Sequence, residues 1–404
     1  MVCAVRIRPG RGQLAGIYLL VISKLPINKS LYRCLTKKKG ANELFLTFAR
    51  ILNIAVLRSY LLFFLPKTTK RMRTSLLAAL SVCTLLLLNS CQDHLVPSGP
   101  SRLRVDDVAT QLAFPIGMSA DNQGRIWVAE TAAGMVSVIM PGGQKYPVIT
   151  GFSVSISPEN TPDGLNHLLY KDGMLYILHG IDEKMYIANV GSFKPGDAPV
   201  SFNTLKSEAI GQFVLDYKFT DDTEDSNLYN LTFGPDGDLF IADAGANAII
   251  RRAKNGALSV FATLPGLPNP TQVGPPVIQA VPTGITFDGK RFLVSTLSGF
   301  PFPVGKARVF QIDVAGNVSL YQDGFTSLVD VLFAPDQNPL ILEIAQFGPQ
   351  GLTPKTGKLI RSVNGQATTL LEGLNLPTDI ELGNAANTYY INSLADGKIQ
   401  KITY

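Results

Sequence analysis

Two recurring positions along this chain carry the side chains best suited to chemistry. The first opens the leading strand of a repeated unit and is filled by Gly117, Asn166, Asn230, Gly284, Asp330 and Asp379. Asn166, Asn230, Asp330 and Asp379 offer the oxygen ligands that a hard cation such as Ca2+ or Mg2+ prefers. The two glycines would leave an arc open for water or ligand. The second position closes the next strand and holds Glu130, His179, Asp243, Thr296, Glu343 and Ser393. Of these, His179, Glu130, Asp243 and Glu343 are candidates for a general acid or base beside a bound substrate. A structural reading stays open beside the chemical one, because Asn and Asp side chains commonly accept backbone N–H bonds in turns. His167 takes the place of Leu231 in this alignment and is expected to point between strands. Nucleotide-binding loops, nucleophile elbows, paired histidines at helical spacing and Cys-x-x-Cys are absent from the sequence.

The units that must position these residues are hairpins. "PIGMSADNQGRIWVAE" from Pro115 has counterparts starting at Gly164, Leu228, Pro282, Leu328 and Pro377. Each reads as a short strand, a turn rich in Asp, Asn and Gly, and a β-branched or aromatic second strand. Further strands follow most hairpins, as in "ANAIIRRA", Lys254-Asn255-Gly256 and "ALSVFATL". Four short strands per unit at a period of about 50 residues predict an all-β fold, a six-bladed β-propeller. The turn residues Asp121, Asp172, Asp236, Asp288 and Asp336 fall at the opposite end of the hairpins and read as structural.

The last unit ends at Tyr404 after three strands, whereas "DDVATQL" (106–112) precedes the first hairpin unmatched. Pairing the two would close the ring without a free edge. Residues 205–219 read as a short amphipathic helix inserted in blade 2. The Pro-rich stretch 265–283 should be a loop between blades 3 and 4.

Charge divides the chain. Residues 1–90 hold 15 of the 36 Lys+Arg and one acid, Glu43; residues 91–404 carry a net charge of −9. No basic cluster lies in the acidic part, so nucleic acid is excluded as an expected partner. From Met72, a basic start, the apolar run Leu76–Leu88 and Asn89-Ser90 describe a signal peptide (72–90). "LNSC" resembles the lipobox of bacterial lipoproteins, which implies lipidation of Cys91, a tether over 91–102 and attachment to a membrane through the N-terminal lipid. The expected location is then periplasmic or cell-surface. Residues 1–71 read as a start-site artefact or basic leader. No cysteine follows Cys91, so disulfides and thiolate chemistry are excluded from the 103–404 domain.

"DSNLYNLTFGPDGDLFIADAGANAIIR", "AVPTGITF", "LSGFPFPVGKARVFQID" and "DGFTSLVDVLFA" resemble the ScyD/ScyE family of propeller proteins, over about residues 103–404. The family carries no settled activity to transfer. At fold level the plan also looks like gluconolactonases and streptogramin lyases, which hold a divalent metal in the channel. The expectation is a lipid-anchored binding or scaffold module for a small molecule or protein partner at the channel-mouth face. The alternative is a metal-dependent hydrolase or lyase using the Asn/Asp ring.

Overall fold

A computed structural model describes residues 103–157 and 161–404. The proposed leader, signal peptide, lipidation site Cys91 and tether lie outside the described residues.

Beside three two-stranded ladders in loops, the alternation read from the hairpins builds six sheets of four or five strands among the described residues. Their inner strands are Pro115–Ala120, Leu165–Lys171, Leu228–Phe233, Pro282–Phe287, Leu328–Phe333 and Pro377–Leu382. Each lies beside the inner strands of the blades before and after it, and the first packs against the sixth. The fold is a six-bladed β-propeller. Second strands such as Ile126–Glu130, Leu239–Asp243 and Pro339–Glu343 are buried along their whole length, because every blade is covered on both faces by its neighbours. The core therefore lies between blades. Phe240 of blade 3 meets Phe292 of blade 4 at 4.5 Å between ring centroids, and Trp127 of blade 1 shares a buried cluster with Leu168 of blade 2.

Closure follows the expected pairing. Arg104–Ala109 adds to Lys398–Thr403 as the outer strand of blade 6, with Arg104 opposite Thr403 and Ala109 opposite Ile399. This removes the free edge that three strands would leave. The strand begins two residues earlier than the sequence pattern suggested and ends at Ala109.

The insertion in blade 2 differs from the expectation. The helix is confined to Ile210–Asp216, and Lys206–Glu208 pairs with Ile187–Met185 as the blade's fourth strand. The unfilled edge of blade 2 outweighs the helical periodicity over these three residues. Glu208 then takes a two-point bond from Arg252 of blade 3, at 2.8 and 2.7 Å. Val200–Ser201 extends blade 1 as a parallel fifth strand. The Pro-rich loop contains a small ladder, Leu267–Pro268 against Val277–Ile278, and its last residues, Pro282 and Thr283, already belong to the inner strand of blade 4.

Candidate functional site

One register recurs in all six blades. Pro115, Leu165, Leu228, Pro282, Leu328 and Pro377 pair with Glu130, His179, Asp243, Thr296, Glu343 and Ser393. The inner strand then takes one extra residue as a bulge, which re-aims the side chains around it. Two residues beyond the first pair, the ring reads Gly117, His167, Asn230, Gly284, Asp330 and Asp379.

This corrects the sequence alignment in blade 2 by one residue. His167, not Asn166, is the counterpart of Asn230 and Asp330, and it does not take the place of Leu231. Asn166 stands one residue before the ring and donates its amide to Leu228 O at 2.8 Å and Asn227 Oδ1 at 2.9 Å. Thr283 and Thr378, at the same place in their blades, likewise donate to Leu328 O and Pro115 O of the next blade. Asn166 thus joins a repeated tie between blades. The signal for the correct register was present, since Leu165 matches Leu228 in "LNHL" and "LYNL".

Three of the four proposed cation ligands do meet, but around one another. Asp330 Oδ1 accepts Asn230 Nδ2 at 3.3 Å and the Val331 amide at 2.8 Å; its Oδ2 accepts the Ile380 amide at 3.0 Å. Asp379 Oδ2 accepts the Met118 amide at 2.5 Å. Asn230 Oδ1 accepts the Leu231 amide at 2.7 Å. Each bond from Asp330 or Asp379 to the next blade's backbone ties successive inner strands around the closure seam. The residues do not fit an all-oxygen Ca2+ or Mg2+ cage, which needs six to eight oxygens free to converge. Among the described residues, no group of three or more His, Cys, Asp or Glu is disposed to hold a metal.

The glycines do not open an arc. A Cβ on Gly117 would lie 2.3 Å from His167 Cα, and one on Gly284 would lie 2.3 Å from Asp330 Oδ1. Both glycines are filled against by the neighbouring blade.

Electrostatics favour neutral forms here. Burial raises the Asp379 carboxyl well above its ordinary value, and the charges of Asp330 and Glu381 push it further. Burial raises Asp330 as well, to about 6, so each carboxyl disfavours the charged form of the other. Glu381, two residues along the strand from Asp379, is raised by burial and then by the Asp330 charge. His167 is lowered to about 4, chiefly by burial. Its Nδ1 bonds Tyr229 O at 3.0 Å, and in the neutral ring that nitrogen is the donor. Its Nε2 is buried without a partner, 3.8 Å from Asp379 Oδ2. Glu381, Tyr229 and His167 are the members of this cluster that sequence reasoning did not select.

The outer set is structural in its contacts. Glu130 Oε2 accepts the Ala113 amide at 2.7 Å, Glu343 Oε1 the Thr326 amide at 2.7 Å, and Asp243 Oδ2 the Ser226 hydroxyl at 2.7 Å. Ser393 donates to Asn375 O at 2.7 Å. All four partners lie two residues before their own inner strand, so one clamp recurs in blades 1, 3, 5 and 6. Asp243 also accepts the amides of Asn227 and Ala246, and burial raises its carboxyl. His179 serves the longer loop of blade 2: Nε2 donates to Ser153 O at 2.9 Å, while Nδ1 accepts the Asp182 amide at 3.1 Å. At the opposite end, Asp121 accepts the Arg125 amide and guanidinium and the Trp127 indole, as its turn role predicts.

The fold and ring define a six-bladed β-propeller, and similarity to solved structures agrees with it. A structural genomics protein of unknown function from Bacteroides thetaiotaomicron aligns with 74% of this chain and 76% of its own, at 11% identity and TM-score 0.51. A protein of Thermus thermophilus proposed to be an oxidoreductase (glucose dehydrogenase) aligns with 74% of this chain and 99% of its own, at 16% identity and TM-score 0.50. A streptogramin B lyase aligns with 74% of this chain and 97% of its own, at 14% identity and TM-score 0.46. No protein-family profile and no curated protein matches the chain.

Proposed function

We propose that the chain is an extracytoplasmic, lipid-anchored binding module of the ScyD/ScyE type whose channel-mouth face holds a small molecule or protein partner. One observation carries the binding part: the exposed apolar side chains gather on that face. Ile156, Val273, Val277, Phe300, Val304 and Leu352 lie on loops at the end where inner strands begin and second strands finish. The hairpin turns at the other end expose Val314, Val363 and Leu382 among the described residues. Apolar surface concentrated on one side marks an interaction site, whereas scattered exposed apolar residues do not.

Nile red, a neutral dye, tests this reading on the full-length chain. Its fluorescence should rise on the folded protein and drop about threefold or more in Phe300→Ser/Val304→Ser, as expected when an apolar patch is lost. Equal fluorescence in the two proteins would sink the reading. The membrane part has its own test, since Cys91→Ser should move the protein out of the membrane fraction.

The metal-dependent hydrolase or lyase is the weaker reading. Its carboxylates are engaged in tying blades together, and the polar side-chain atom left over is His167 Nε2.

A further inference from the structure

The mouth face carries two kinds of surface side by side. On blades 3 to 5 it is aromatic and aliphatic. Phe302 packs on Phe347 at 4.5 Å and meets Phe300 edge-on at 6.2 Å, which holds the Phe300 ring half-exposed above the loop. The Pro-rich loop reaches the same ring, because a Cβ on Gly274 would come within 3.0 Å of Phe300 Cδ1. On the same face, the segment leading into blade 3 presents Asp221, Asp222, Glu224 and Asp225, all exposed. Thr223 Oγ1 fixes that segment to Gly245 O at 2.8 Å, on the mouth side of blade 3. Among the described residues none of these four acids forms an ion pair within 4.0 Å.

We infer that the mouth face docks a polypeptide segment in which basic residues alternate with apolar ones. This rests on the binding reading above and names its partner. Charge complementarity selects the basic side chains: four exposed carboxylates, without an ion pair among the described residues, share this face with an exposed aromatic ring, and both attract cations. Extent selects a chain over a compact ligand, since the apolar residues sit on loops of blades 1, 3, 4 and 5, from Ile156 to Leu352. A lipid surface fits less well, because the acidic segment repels anionic headgroups.

Fluorescence anisotropy with the purified full-length chain tests this, using three labelled twelve-residue peptides at ionic strength of about 0.15 M. One alternates Lys with Phe and Leu, one replaces Lys by Glu, and one replaces Phe and Leu by Ser. The Lys/Phe/Leu peptide should bind at least about tenfold more tightly than either analogue. Phe300→Ser/Val304→Ser and the exposed-loop variant Asp221→Asn/Asp222→Asn/Glu224→Gln/Asp225→Asn should each weaken it by about tenfold. Equal affinity for the Lys and Glu peptides, or no effect of the acidic-loop variant, overturns the inference. Retained Nile red binding in that case would leave the broader binding reading standing. Flotation with phosphatidylcholine/phosphatidylglycerol vesicles that falls in Phe300→Ser/Val304→Ser would assign the face to lipid and overturn it too. All variants are on exposed loops, and an unchanged melting temperature confirms folding.

Discussion

His167 Nε2 stands 3.8 Å from Asp379 Oδ2 across Gly117, so side chains of blades 2 and 6 face each other over the backbone of blade 1. Asn230 and Asp330 approach across Gly284 in the same way, at 3.3 Å. The propeller axis is therefore filled by polar side chains reaching over glycines, with each glycine allowing the blades on either side to meet.

Gly117→Ala should destabilise the domain without touching the mouth face. The added Cβ would overlap His167 Cα, which is backbone-linked and cannot swing aside. A cost of about 1–3 kcal/mol is expected from overpacking of this kind. Urea denaturation measures it; an unchanged midpoint would show that blades 1 and 2 are not in this contact.

The buried carboxyls set a pH dependence. Asp330, Asp379 and Glu381 have folded values raised above the unfolded ones, so their contribution is complete in acid and lost as pH rises through the folded values. His167 acts oppositely: lowered to about 4, it costs stability as pH falls below its unfolded value toward 4. Above about pH 7.5 the histidine is neutral in both states, and stability should decline toward pH 9. Asp379→Asn keeps an acceptor for the Met118 amide and removes the second charge. It should flatten the decline, and melting curves from pH 6.5 to 9 that coincide for both proteins would contradict this account.

Glu130 and Asp243 hold loops, so their removal should cost stability and leave binding alone. Asp243→Ala strips partners from Ser226, Asn227 and Ala246 and should cost about 2 kcal/mol or more. Peptide affinity of the folded variant should match that of the unchanged chain. A selective loss of binding at equal stability would return Asp243 to the list of functional groups.

Ca2+ or Mg2+ at millimolar concentration should leave the melting temperature unchanged, as should EDTA. A metal that bound the folded state alone would stabilise it by about 2.7 kcal/mol at a hundredfold excess over its dissociation constant. A rise of several degrees would reinstate the metal reading, with His167, Asp330 and Asp379 as the residues to replace.

Much of this was legible in the linear sequence because the governing signals are local. Alternation, Asp/Asn/Gly turns and a repeat of about 50 residues specify hairpins, and an unmatched first strand with a last unit one strand short specifies closure. The two blade 2 differences have separate causes. The bulge is common to all six inner strands, so the one-residue offset arises when Gly164 rather than Leu165 is matched to Leu228. Asn166 and His167 are adjacent; the match of Leu165 to Leu228 favours His167, and the pairing of Leu165 with His179 fixes it. Lys206–Glu208 became a strand through an edge supplied by distant residues.

Local order along the chain was enough to specify the all-β propeller, its six units and the two sets of polar positions, since periodicity and turn chemistry are properties of neighbouring residues. What those polar groups do was settled in three dimensions. The raised carboxyls of Asp330 and Asp379, the loop clamps of Glu130 and Asp243, and the gathering of apolar loops at one mouth depend on burial and on contacts between residues far apart in sequence. Those set the local dielectric and the hydrogen-bond partners, and no local pattern encodes either.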